Sequence, residues 1–212
     1  LLQIIPPQTQ MISIEDKIKR KIISQKDGTL LFPEDFNDIG SSEAVRLALH
    51  RLFKDSFITR IAQGIYVRPK NNSLIGGILP TAEEVAYGIA QRDRIKIVPT
   101  GIYALHALGI SQQIPLKLTF LTDGAPREIQ IGKQAIKLKR TTPKNLKAIG
   151  KISSLVIQAL RSIGKGKVTH DEELKILELL QEESETNLKH DIKLAPVWIK
   201  KTMSKALNND KN

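Results

Sequence analysis

Between residues 41 and 68 a helix-patterned segment runs straight into two short β-branched runs, and this junction restricts the fold more than any other feature of the chain. Ser41 and Ser42 cap the segment EAVRLALHRLFKDS. Within it Val45, Ala48, Leu49 and Leu52 recur at i, i+3, i+4 and i+7, one face of a helix. The other face presents Ser42, Glu43, Arg46 and His50, with Arg51 and Lys54 at its edges. In FITRIAQGIYVRPK, Ile58 and Ile61, then Ile65 and Val67, flank Ala62-Gln63-Gly64. Glycine supplies a positive φ at a turn, so this stretch reads as a β-hairpin.

The preceding residues complete a pattern. Ile14, Ile18 and Ile22 step by four through 13–25, Ser13 is placed to cap them, and Glu15 and Asp16 sit where the helix dipole favours acids. Lys26-Asp27-Gly28 ends this helix. Pro33 then opens a short one and Gly40 closes it. Helix, short helix, capped helix and hairpin in that order are a winged helix-turn-helix, over residues 11–72. A capped helix with a polar, basic face fits the major groove, and Arg46 suits guanine. In the wing, Arg60, Gln63, Arg68 and Lys70 suit phosphates or a minor groove. Leu47 lies toward the exposed side, as a thymine-methyl contact or a packed edge. Winged helices also serve as protein–protein modules, and that alternative stays open here.

Charge points the same way. The 212 residues carry 33 Lys/Arg against 22 Asp/Glu, a net +11 with a pI near 9.8, the electrostatic footprint of a nucleic-acid binder. The excess is +3 over 11–72, +6 over 73–150 and +2 over 151–212. There is no cysteine, which removes disulfides, thiolate zinc sites, iron–sulfur clusters and a cysteine nucleophile, and fits a reducing cytoplasm. No apolar run is long enough for a transmembrane helix. The opening LLQIIPPQTQ lacks a basic n-region and a cleavage pattern; with Met11 directly behind it, residues 1–10 read as a disordered upstream extension.

Residues 73–212 read as a second, mixed domain, making the chain α+β. Thr81 caps a helix over 81–92, a short strand surrounds Ile95–Val98, and a helix ends at Gly109. Strands follow at Leu116–Leu121, Arg127–Ile131 and Ala135–Lys139, with turns at Asp123-Gly124 and Gly132-Lys133, giving a small antiparallel sheet. Lys137 and Lys139 share one face of the third strand. With Arg127, Arg140 and Lys144 they form a basic face for a DNA backbone or an acidic partner. From about 151 the pattern is a helical tail: Ile152–Ile163, Asp171–Glu183, and Pro196–Leu207 with the single Trp198. The Glu182-Glu183 pair reads as solvated. His106, inside an apolar helix, reads as a satisfied core histidine. No histidine pair, nucleophile elbow, P-loop or dinucleotide fingerprint is present, so neither an enzyme, a metal site nor a cofactor is expected.

EAVRLALHRLFKDSFITRIAQGIYVRP resembles the winged-helix domain of AbiEi-type antitoxins of bacterial abortive-infection (type IV) toxin–antitoxin systems. IVPTGIYALHALGISQQIPLKLTFLTDGAPREIQIGKQAIKLKRTTPKNL is similar to the first part of that family's C-terminal domain. The resemblance runs from about Ile12 to Leu146. It implies a protein that represses its own operon by binding promoter DNA and counters a nucleotidyltransferase-like toxin. It places DNA contacts on Ser42, Arg46, His50, Arg51, Arg60, Gln63 and Arg68. The tail beyond Lys151 departs from the pattern. The rival readings are a ligand-sensing winged-helix regulator, which requires a sizeable pocket in the second domain, and an interaction module that does not touch DNA.

Overall fold

Helix α1, Ile14–Ile23, starts where Ser13 Oγ accepts from the Asp16 N–H at 3.0 Å, and it turns Ile18 and Ile22 inward. This is the computed structural model of the chain, and it describes residues 12–72 and 76–208. A two-residue strand β1, Leu30–Leu31, follows. Pro33–Phe36 then forms a 3-10 turn where a short helix is expected, its start fixed by the Asp35 carboxylate accepting from Phe32 N–H at 2.8 Å. Helix α2, Ser42–Lys54, is capped by Ser41, whose Oγ accepts from Ala44 N–H. Strands β2, Thr59–Ala62, and β3, Ile65–Val67, close a hairpin over Gln63-Gly64, where Gly64 has φ +69°. β1 pairs with the far side of β3, so the antiparallel order is β1-β3-β2.

Ile18, Ile22, Leu31, Phe36, Val45, Leu49, Leu52 and Ile58 bury together in this unit. Removing each from water contributes about 1.5–3 kcal/mol. The unit extends beyond the expected boundary at 72. A second hairpin, β4 Lys70–Asn72 with β5 Gly76–Ile78, continues it, and the chain divides after Pro80. The expected extension at 1–10 lies outside the described residues.

The second unit opens with α3, Ala82–Asp93, in a capping box: Thr81 Oγ1 accepts from Glu84 N–H and the Glu84 carboxylate accepts from Thr81 N–H. β6, Ile97–Thr100, α4, Ile102–Ala107, and β7, Lys117–Thr122, lead to β8, Arg127–Ile131, and β9, Gln134–Arg140. The three expected strands are all present, but the sheet is mixed and not purely antiparallel. Its order is β6-β7-β9-β8, with β7 and β9 parallel. The tight β8–β9 hairpin folds β9 inward, and burial explains why. β9 buries Ala135, Ile136 and Leu138, whereas β8 alternates polar and half-buried residues and tolerates an edge.

The expected tail is part of this unit's core. α5, Lys151–Ile163, α6, His170–Gln181, α7, Glu185–Leu194, and α8, Val197–Asn208, pack Val156, Leu160, Ile176, Leu180, Leu188, Ile199 and Met203 against Ala104 and Leu108 of the α4 segment. Helix α7 was not expected.

Candidate nucleic-acid interface

The side chains that line up on α2 are set by its period. Val45, Ala48, Leu49 and Leu52 face the core, which leaves Ser42, Glu43, Arg46, Leu47, His50, Arg51 and Lys54 exposed. Ser42, Glu43 and Arg46 make no hydrogen bond or ion pair with any described residue. An exposed, unengaged guanidinium therefore stands on the first two turns, beside N–H groups whose partial positive charge also favours phosphate. His50 leans on Phe53 with ring centroids 6.4 Å apart. Arg51 reaches Glu15 at 3.8 Å, a long exposed pair that bound DNA could displace at little cost. Leu47 is 50% exposed, an apolar group on the polar face.

The wing divides into free and engaged groups. Gln63 is exposed at the hairpin tip. Arg60 is exposed, and its Nε donates only a long 3.4 Å bond to the Ala62 carbonyl. Arg68 is corrected. Its guanidinium is half-buried in an ion pair with Asp27, tying the end of β3 to the turn after α1. An arginine that closes a turn of its own fold is not available to a phosphate without breaking that turn. Lys70 is exposed at its end, but its methylenes lie across Gly28, where any side chain would collide with them. Arg68→Ala is expected to destabilise the first unit by about 1 kcal/mol, a discounted value for a partly exposed pair. It should leave DNA affinity within about twofold at a temperature where the unit stays folded, as read by a urea melt and a binding titration.

On the second unit, strand register sorts the basic face. Glu128 pairs with Lys137, and Lys137 and Lys139 alternate with the buried Ile136 and Leu138. Arg127, by contrast, pairs with Leu138 and so points to the opposite face. There it forms an ion pair with Asp93 at the end of α3, and it leaves the basic face expected of it. Lys117 meets Glu128 at 2.7 Å on the lysine face, so a carboxylate stands among those cations. Arg140 and Lys144 are exposed beyond the strand, and Arg161 of α5 bonds Asn145 at 2.8 Å beside Lys144. Residues 129–170 contain ten Lys/Arg and no Asp/Glu. None of those ten forms an ion pair among the described residues.

Asp93 carries a testable charge effect. Burial raises its pKa, but the guanidiniums of Arg92 and Arg127 outweigh burial and hold the carboxyl below its usual range. A depressed folded-state pKa contributes stability that is full above the unfolded value of about 3.9 and is lost as pH falls through the folded value. Asp93→Asn is therefore expected to lower the urea midpoint at pH 7 and to match the parent near pH 2. An equal gap at both pH values would contradict this.

Sequence reasoning missed a fully buried carboxylate. Asp191 of α7 is fully buried and accepts from Ile149 N–H at 3.0 Å, Gly150 N–H at 2.9 Å and Ser153 Oγ at 2.5 Å. Glu183, expected to be solvated, accepts from Ile152 N–H at 2.9 Å and Ser153 N–H at 3.3 Å. Two carboxylates thus satisfy the orphan donors at the start of α5. This is architecture, and it holds the helix that carries Arg161. His106 is corrected too: its Nδ1 is buried without a hydrogen-bond partner.

Compared with known proteins, residues 17–188 match a family described as "Family of unknown function (DUF6088)". No curated protein matches the chain.

Proposed function

The chain belongs to the DUF6088 family, a family of unknown function, and we propose that it is a DNA-binding antitoxin that represses its own operon and antagonises a nucleotidyltransferase-like toxin. The observation that carries the DNA-binding half is the exposed face of α2. Ser42, Glu43 and Arg46 stand unengaged on a capped helix that leads directly into a β-hairpin. In this reading Arg46 reads a base edge, Arg60 and Gln63 meet the backbone beside it, and the acid-free 129–170 segment adds non-specific attraction to phosphates. The antitoxin half rests on the resemblance across residues 12–146 to AbiEi-type antitoxins.

The test is a gel-shift titration of the full chain on its own upstream promoter against scrambled DNA near physiological salt. Preference of about 10³ or more is expected for a specific reader. With about six phosphates neutralised, log affinity should fall against log salt with a slope near −5. Equal weak binding to both DNAs, or a flat salt response, would sink the DNA-binding half. The antitoxin half is tested by co-expression with a nucleotidyltransferase-like toxin encoded beside it, where growth must recover. A second reading, a ligand-sensing regulator, is favoured by one observation: a groove of about 360 Å³ beside β6, lined by Glu83, Tyr87, Val98, Lys151 and Leu155.

A further inference from the structure

Among the described residues three side-chain polar atoms of the second unit are buried with no partner: Arg127 Nε on β8, and two on one face of α4. Tyr103 is 5% exposed, its ring lies 5.2 Å from Phe120, and its hydroxyl makes no hydrogen bond. His106, one turn on, leaves Nδ1 equally unsatisfied. Leaving such atoms unpaired costs stability, and native folds do so rarely. Both residues line a cavity of about 210 Å³, distinct from the groove beside β6. Glu83 stands at its rim. Burial first, and then the Glu83 carboxylate facing the hydroxyl, hold that phenol protonated. Gln134 spends its Nε2 on the Pro115 carbonyl at 3.2 Å and keeps its Oε1 as an acceptor. Leu118 and Ile114 supply apolar walls, and Ile114 is 71% exposed, apolar surface that an occupant would cover. No lysine or arginine lines the cavity.

We propose that this cavity binds a small single-ring amine or amidine, with its cationic head at Glu83 and Gln134, a hydrogen bond to the Tyr103 hydroxyl, and its ring against Leu118 and Ile114. Acceptors outnumber donors in the lining, and its only formal charge is negative, so a donor-bearing cation is favoured and an anion is disfavoured. The volume has room for one ring, and the carboxylate in its lining disfavours a phosphate-bearing ligand. The inference needs no DNA contact, so it stands or falls apart from the proposed function.

The experiment is amide NMR on the full chain, titrated with benzylamine, benzyl alcohol and benzoate. Saturable shifts confined to α4 and the Ile114–Leu118 segment are expected with benzylamine, weaker ones with the alcohol and none with benzoate. Glu83→Gln and Tyr103→Phe should each weaken benzylamine about tenfold or more. Tyr103→Phe is also expected to keep or raise the melting temperature, because it removes an unpartnered hydroxyl; loss of binding then cannot be blamed on misfolding. Non-saturating shifts, binding of benzoate as tight as that of benzylamine, or unchanged affinity in Tyr103→Phe would overturn the assignment.

Discussion

Asp191→Ala is expected to lower the melting temperature of the second unit by about 6–12 °C. The alanine removes the acceptor of the exposed His190 ring and strands three buried donors at once: the N–H groups of Ile149 and Gly150 and the Ser153 hydroxyl. Each buried donor left without a partner costs about 1–3 kcal/mol, and a conservative non-additive total is about 3 kcal/mol. At ~2–4 °C per kcal/mol for a chain of this size, that gives the stated shift. Asp191→Asn should recover only part of it, because the amide keeps one acceptor oxygen and turns an NH₂ toward existing donors. Gly150→Ala should act on the same joint by another route, since a Cβ there would fall on Ser153 Oγ and the Glu183 carboxylate. Hydrogen exchange localises the effect: amides at the start of α5 must lose protection while those of α1 and α2 keep theirs. A shift below about 2 °C, or loss of protection in α2, would refute the assignment.

That network also marks the limit of what the sequence disclosed. Helices α1, α2, α3 and α6 are legible because their apolar residues recur at helical spacing behind Ser or Thr caps, and α5 from its apolar spacing alone behind Gly150. The β2–β3 hairpin was legible from Gly64 between β-branched runs. β1 was not, because two residues carry no period and its pairing with β3 is long-range. α7 hid for a physical reason. Ser184 caps it, and Leu188 and Ile192 step by four, but the neighbouring inward residue is an aspartate, which reads as solvent-facing until its buried donors are in view. The two arginine corrections share one cause. Asp27 lies 41 residues from Arg68, and Asp93 lies 34 from Arg127. Nothing in the local sequence separates an arginine bound to its own fold from one free to meet phosphate. The free residues, Arg46 above all, were read from helix periodicity alone, and the structure leaves them exposed.

Arg46→Ala with Arg60→Ala is expected to cut promoter preference by ~5- to 150-fold while leaving general DNA binding. The two substitutions act on different parts of the free energy. A bidentate guanidinium on a base edge discriminates by about 1–3 kcal/mol, so losing Arg46 should cost the promoter ~5- to 150-fold and scrambled DNA little. A phosphate contact carries no sequence information, so losing Arg60 should weaken both DNAs alike and reduce the salt slope by about one. Lys139→Ala, Arg140→Ala and Lys144→Ala combined supply the contrast. If these exposed cations only neutralise phosphate, the triple variant should weaken both DNAs together, flatten the slope by up to about 2.7, and leave the ratio between DNAs unchanged. The two variants therefore separate reading from attraction in one salt series. Should the triple variant lose preference and the Arg46/Arg60 variant keep it, recognition would belong to the second unit and α2 would be a bystander. Should neither variant alter DNA binding while toxin rescue is lost in the triple variant, the basic face would be the partner's seat and the winged helix an interaction module.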